Sequence, residues 1–252
     1  MIQEYASSAE YPAQVTASIV SHGHGPMVTS LLTDLATKCD SNVNVILTLN
    51  IPESLTIDDG TFPFRLKVIR NALPKGFGAN HNAAFEHCAS SYFCVLNPDI
   101  QIGENPFPQL VEELCKPKVG VVAPRILNPD GNIEDSARRF PTPWFIVRKL
   151  FGLTAGLDYR IEQTTLSPDW VAGMFMLFRK DVYAELAGFD ERYFLYYEDV
   201  DLCWRLRKRG LDVRLVPMVS ATHDARRQSR RSVRHLRWHF ASMLRFFRRA
   251  AV

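Results

Sequence analysis

The 252-residue chain predicts an α/β fold with a mostly parallel central sheet. Three observations lead there. Short apolar runs alternate with stretches of helical period through the first half of the chain. Each run ends in a turn rich in Gly, Pro, Asn or Asp. The hydrophobic share of 46% suits a globular core, and no window approaches 18 apolar residues, so no membrane-spanning helix is expected.

The elements follow in order. Residues 15–20 (VTASIV) read as a buried strand, and 21–26 as a Gly/His/Pro loop. Pro26 opens a helix whose apolar face carries Val28, Leu31, Leu32 and Leu35. Strands are predicted at 43–49 and 64–69, followed by a Gly-rich turn and helix at 76–88. A fourth strand, 92–96, ends at Asn97-Pro98-Asp99; a helix near 107–115 leads to a fifth strand at 119–123. Residues 124–168, with prolines at 124, 129, 141, 143 and 168, read as an excursion over the sheet edge, with an amphipathic helix at 144–151. A strand at 171–178, helices at 181–187 and 199–209, and a strand at 211–216 complete the pattern. In such a sheet, functional residues collect beyond the carboxyl ends of the strands.

Composition narrows the class. Five scattered cysteines form no CxxC pair, which argues against a zinc knuckle or disulfide scaffold and for a reducing compartment. Met1 is followed by neither a basic start nor an apolar run, so no signal peptide is predicted and a cytoplasmic location is expected. The net charge of +3 is unevenly spread: from Arg226 to Arg249 there are nine arginines and no acid. A terminal helix at 230–249 combines arginines with a stripe of Val233, Leu236, Phe240, Leu244 and Phe247. That combination fits the anionic inner face of a membrane, packing on the domain, or a homodimer contact. The basic residues form no stripe joined to an aromatic platform, which argues against nucleic acid as a partner.

Four constellations can carry chemistry. Asp99 follows a strand end, where one carboxylate can hold Mg²⁺ or Mn²⁺ against a diphosphate; the same Asn-Pro-Asp is also good turn material. The run Gly76-Phe77-Gly78-Ala79-Asn80-His81-Asn82 permits close backbone approach before a helix, but it is neither GxxxxGK nor GxGxxG. Glu198, Asp199 and Asp201 crowd a helix start beside five aromatics between Tyr193 and Trp204. A capping role explains one of these acids, and a general base would explain another. His223 follows the last sheet strand, as a metal ligand, a phosphate contact or a structural residue.

Together these pieces resemble family 2 glycosyltransferases of the A-type nucleotide-sugar-binding fold, a three-layer sandwich, and especially their rhamnosyltransferase-like branch. The resemblance spans about Val15 to Ser229. It rests on GFGANHNAAF at 76–85, VLNPD at 95–99 and the segment from Trp170 to Gly210. It implies a catalytic domain at 1–225, with a donor-binding part at about 15–123 and an acceptor-side part at about 124–225, followed by a basic helix at 226–252. It implies a metal held by Asp99 and His223, with Asp199 as the base. Trp170, Gly173, Glu198 and Asp201 would bind the acceptor or orient the base. Asn50, Gly76, Phe77, Gly78, Asn80, Asn82, Asn97 and Ser229 would line the donor side. The implied reaction is inverting transfer of a sugar, L-rhamnose from dTDP-rhamnose being the leading case, to a saccharide or lipid-linked acceptor in bacterial polysaccharide synthesis.

One departure stands out. The family places an Asp-Asn pair at the end of the second strand to hold the nucleobase; here the sequence is Leu49-Asn50. Backbone groups, Glu53 or the His22 region are alternatives for that role. A non-catalytic glycan-binding protein that kept the fold is the other reading this departure leaves open. A nucleotidyltransferase fits less well, because residues 21–26 contain no Lys or Arg.

Overall fold

The computed structural model describes residues 2–5, 14–39, 42–55, 62–144, 156–224 and 233–250. The strands are β1 (Ile2–Tyr5), β2 (Val15–Ser21), β3 (Val43–Leu49), β4 (Leu66–Arg70), β5 (Tyr92–Leu96), β6 (Ile100–Gln101), β7 (Val119–Leu127), β8 (Ala137–Arg138), β9 (Trp170–Val171), β10 (Phe175–Arg179) and β11 (Asp212–His223). The helices are α1 (Gly25–Lys38), α2 (Phe77–Phe85), α3 (Phe107–Leu114), α4 (Lys180–Glu185), α5 (Glu198–Lys208) and α6 (Val233–Ala250).

The sheet order is β1-β4-β3-β2-β5-β10-β7-β11-β6, with β8 and β9 forming a separate ribbon. The α/β class expected from the sequence holds, but the sheet is mixed rather than mostly parallel. The pairs β4–β3, β3–β2, β2–β5 and β7–β11 are parallel. The pairs β1–β4, β5–β10, β10–β7 and β11–β6 are antiparallel. Two of these antiparallel pairs come from β10, which enters between β5 and β7 from the opposite direction after the long excursion, and the other two from the short edge strands β1 and β6; alternation of elements along a sequence does not encode either.

Side chains alternate across the strands and so feed two cores. On one face, Cys94 and Leu96 pack with Val28, Leu31, Leu35, Leu110 and Leu114 of α1 and α3. On the other, Phe93 and Val95 pack with Val182, Leu202, Leu206 and Phe246 of α4, α5 and α6. The result is a sheet between two helical layers.

Two strands run further than the sequence pattern suggests. Pro124 and Pro217 mark the ends of the predicted strands at 123 and 216, yet β7 continues to Leu127 and β11 to His223. The register moves from Val216↔Pro124 directly to Ser220↔Arg125, so Pro217, Met218 and Val219 form a bulge without ladder partners. This bulge carries β11 on to the sheet rim. The five cysteines are free thiols, and no helix of the described residues is long and apolar enough to cross a membrane.

Candidate active site

The rim is assembled by register. Strand β6 starts immediately after Asp99, and its Ile100 pairs with His223 at the end of β11, antiparallel. The Asp224 amide donates to the Asp99 carbonyl at 2.9 Å, which closes the corner. His223 Nε2 consequently lies 3.2 Å from Asp99 Oδ2. Its Nδ1 lies 2.8 Å from Glu134 Oε2. Glu134 comes from the turn after β7, where its amide donates to the Ile126 carbonyl at 2.8 Å. Burial works against a charge on His223, but the two carboxylates outweigh it and lift its pKa to about 9.

The same atoms suit a divalent cation. Asp99 Oδ1 is buried with no hydrogen-bond partner. Glu134 on Nδ1 favours the tautomer whose Nε2 lone pair is available once its proton is displaced. Among the described residues no cluster of three or more His, Cys, Asp or Glu forms a ready-made metal cage. A cation held by Asp99 and His223 would therefore take further ligands from a diphosphate and water, as Mg²⁺ and Mn²⁺ commonly do.

The acidic helix start is tied to this rim through one short segment. The Asn97 amide donates to the Met174 carbonyl at 2.9 Å. The neighbouring Gly173 amide donates to Asp199 Oδ2, also at 2.9 Å. Just before α5, Tyr196 and Tyr197 adopt φ of 72° and 66°. Two adjacent non-glycine residues in the left-handed region cost on the order of 1 kcal/mol each or more. Their turn sets Glu198 and Asp199 at the beginning of α5.

These two acids differ in environment. Glu198 is buried, and its Oε2 has no partner. Burial first, and then the charge of Asp199, holds its pKa well above the usual carboxylate range. Burial raises Asp199 too, but amides of Gly173 and Val200 donate to its two oxygens, which favours its charged form. Of the two, the amides favour the charge on Asp199. Asp199 is thus the better-placed proton acceptor, and Gly173 orients it.

Other predicted residues occupy supporting positions. Asp201 is fully buried, and its carboxylate is engaged by Arg205 Nε at 2.8 Å, Arg249 Nη1 at 2.6 Å and the Tyr193 hydroxyl at 3.3 Å. It clamps α5 to α6. Trp170 is buried beneath Arg138, whose guanidinium lies 5.4 Å from the ring, and its indole N–H donates to the Arg139 carbonyl at 2.9 Å. Arg138, which the sequence reading passed over, also lowers the pKa of Asp199.

The glycine-rich run packs against the acidic segment. A Cβ on Gly76 would lie 2.7 Å from the Phe194 carbonyl oxygen, and one on Gly78 would lie 2.5 Å from Phe189 Cβ. Phe77 packs edge-on against Phe189 and His81. Asn82 takes the Phe189 amide and the Tyr183 hydroxyl on Oδ1 and donates to the Phe189 carbonyl. His81 is fully buried with Nδ1 2.8 Å from Ser18 Oγ, and burial depresses its pKa to about 3.

On the donor side, Asn71 Nδ2 bridges Asn50 Oδ1 at 2.9 Å and Asn80 Oδ1 at 2.7 Å. Asn50 also accepts from the Lys75 amide, and Asn80 donates to the Gly76 carbonyl. This ladder fixes the glycine turn to the end of β3; Asn71 gave no motif signal, being a single polar residue after a strand. Leu49 is buried. Glu53 Oε1 accepts weakly from the Gly23 amide at 3.3 Å, while its Oε2 has no partner. Ser229 lies outside the described residues, as do 145–151 of the predicted helix after Trp144.

The fold, together with the family match, makes this a nucleotide-sugar-dependent glycosyltransferase of the A type. The chain belongs to the family described as "Glycosyltransferase like family 2", whose model matches residues 12–241. It is 28% identical to N-acetylglucosaminyl-diphospho-decaprenol L-rhamnosyltransferase of Mycobacterium tuberculosis, over 88% of this chain and 80% of that one. It is also 28% identical to rhamnosyltransferase WbbL of Escherichia coli, over 93% and 92%. Among solved structures, GalNAc-T7 with UDP, GalNAc and Mn²⁺ matches with a TM-score of 0.66 at 14% identity, covering 85% of this chain and 44% of that one. The mannosyltransferase PcManGT of Pyrobaculum calidifontis, with GDP-Man and Mn²⁺, matches with a TM-score of 0.61 at 17% identity, covering 96% and 67%. At those identities the structural likeness is one of fold.

Proposed function

We propose that the chain catalyses inverting, metal-dependent transfer of L-rhamnose from dTDP-rhamnose to a saccharide or lipid-linked acceptor in bacterial cell-surface polysaccharide synthesis. Residues 15–123 supply the donor half and 124–225 the acceptor half. The carrying observation is the Asp99–His223–Glu134 chain at the rim, linked through Met174 and Gly173 to Asp199. The names of the two bacterial relatives favour rhamnose, and one of them favours a diphospho-lipid acceptor.

In this reading Asp99 and His223 hold Mg²⁺ or Mn²⁺, and the ion offsets charge on the departing diphosphate when bound. Glu134 keeps the His223 ring oriented and neutral at Nε2. Asp199 takes the proton of the acceptor hydroxyl as that oxygen attacks the anomeric carbon, and Glu198 remains protonated beside it. A single displacement inverts the anomeric centre and calls for no enzyme nucleophile. Glu53 replaces the acid missing at Leu49: its unpartnered Oε2 accepts the N3–H of a thymine or uracil ring.

The test is a panel of nucleotide sugars with purified protein, reading metal-dependent binding and donor hydrolysis. A thymidine or uridine donor is expected to be selected, and Glu53→Gln to weaken that selection. Glycan binding without binding of any nucleotide sugar would instead favour the non-catalytic reading that the buried Leu49 invites.

A further inference from the structure

Helix α6 is bound to the domain by one side and open on the other. Phe246 and Ser242 are buried, Ser242 Oγ donates to the Leu195 carbonyl at 3.0 Å, and Arg249 reaches Asp201 and Asp190. At the helical period, Val233, Leu236, Phe240 and Leu244 fall on the side opposite Ser242 and Phe246. They are 75%, 57%, 50% and 53% exposed. Phe247, the last residue of the predicted stripe, is half-buried and packs on the core with Phe246, so the domain-packing role is met in part, while the other four stripe residues stay outward.

Along one edge of the stripe lie Arg234, Arg237, Arg245 and Arg248. Beyond that edge, between α5 and α6, is a groove of about 1020 Å³ whose lining includes Trp204, Leu244 and seven basic residues, with no acid. Arg192, Arg205 and Arg249 are ion-paired to Asp190 or Asp201. Lys208, Arg209, Arg245 and Arg248 have no carboxylate partner among the described residues. Lys208 lies over the Trp204 ring at 5.0 Å, and Arg245 faces the Tyr193 ring at 5.8 Å. Four unneutralised cations around a groove with an apolar edge favour an anion carried on an apolar body.

We propose that this groove takes the phosphate of an anionic phospholipid, while Val233, Leu236, Phe240 and Leu244 enter the headgroup boundary of the same leaflet. An in-plane helix needs this pairing of basic edge and apolar stripe, and each basic residue near an anionic surface adds to the attraction. A nucleic acid would use the cations but leave the stripe uncovered. The geometry also gives the docking a purpose. The Trp238 ring lies 4.6 Å from that of Phe194, whose backbone rests on Gly76, and the charge of Arg234 is felt at His22. The stripe therefore begins beside the donor rim, and docking brings the mouth of the site to the lipid surface. The inference concerns attachment and holds whichever sugar is transferred.

The experiment is co-sedimentation of the full chain with phosphatidylglycerol-containing and pure phosphatidylcholine vesicles, at low and high salt, with nucleotide-sugar binding measured on the same preparations. Binding is expected to anionic vesicles only and to weaken steeply with salt. Leu236→Ser with Phe240→Ser, and separately Arg245→Glu with Arg248→Glu, are each expected to lower partition on the order of a hundredfold. Both are expected to keep donor binding, which also shows that the fold is intact. Excess inorganic pyrophosphate should compete only weakly with vesicles. Unchanged partition in both double variants, equal binding to neutral vesicles, or occupancy by pyrophosphate or an oligonucleotide without any vesicle binding would overturn the proposal.

Discussion

Two acidic corners of the molecule meet opposite fates. Asp99 faces a histidine, and one of its oxygens is left without a partner. Glu198 and Asp199 are adjacent acids that raise each other's cost of ionisation, with backbone amides as the hydrogen-bond donors to Asp199. The first corner is arranged to gather positive charge. In the second, burial pushes both carboxyls upward from their ordinary range, and the charge of Asp199 adds to this at Glu198, whose Oε2 has no hydrogen-bond partner. The difference supports the proposed roles: a carboxylate oxygen left open beside a histidine suits a metal, and a carboxylate held by backbone amides next to a buried glutamate suits removal of the acceptor's proton.

The comparison can be broken at several points. The largest effect is expected at Asp199. Asp199→Asn should reduce turnover by about 10²–10⁴-fold, the usual range for loss of a general base, with donor binding retained. Steady-state kinetics with a calorimetric donor titration would separate the two; an equal fall in both would make Asp199 a donor ligand. Next is Glu134, whose side chain reaches His223, the proposed metal ligand. Glu134→Gln should weaken Mn²⁺ affinity by about 10–100-fold, as loss of such supporting hydrogen bonds typically does, measured by metal titration in the presence of nucleotide.

A smaller effect is expected away from both corners. Asn71→Ala removes the donor shared by Asn50 and Asn80 and should destabilise the fold by about 1–3 kcal/mol in a denaturant melt. The last effect is a slope with pH. The folded pKa of Glu198 is raised above its ordinary value of 4.5. The folded state therefore binds this proton more tightly, and the resulting stability is fully present below pH 4.5 and lost as pH rises toward the raised value. Glu198→Gln cannot ionise, so its stability relative to the parent should increase over that window and level off above it. Melting curves across pH would show the trend, and a flat difference would mean that Glu198 ionises normally.

Much of this was legible in the sequence because it is local. Strand β2, the apolar face of α1 and the acids at the start of α5 depend on neighbours within a few residues. The meeting of Asp99 with His223 was anticipated from two strand ends, yet its cause, the pairing of β6 with β11 beyond a bulge at Pro217, was hidden by the proline itself. Glu134 was not legible: it sits in a polar, proline-rich excursion, and the turn after β7, closed by the Leu127–Ile133 pairing and the Ile126 hydrogen bond, brings it to the rim. The glycine run carried a true signal of close approach, but its partner, the segment from Phe189 to Phe194, lies more than a hundred residues away. Asp201 read as part of the acidic site because it is adjacent in sequence, whereas half a helical turn directs it to Arg205 and Arg249.

The assignment of the two corners is tested most directly by Mn²⁺ binding in the presence of saturating thymidine diphosphate, followed by water-proton relaxation, in the parent chain, Asp99→Asn and Asp199→Asn. The account predicts that Asp99→Asn loses the bound ion while Asp199→Asn retains parental affinity and still fails to turn over. Retention of the ion in Asp99→Asn, or an equal loss in both variants, would contradict it.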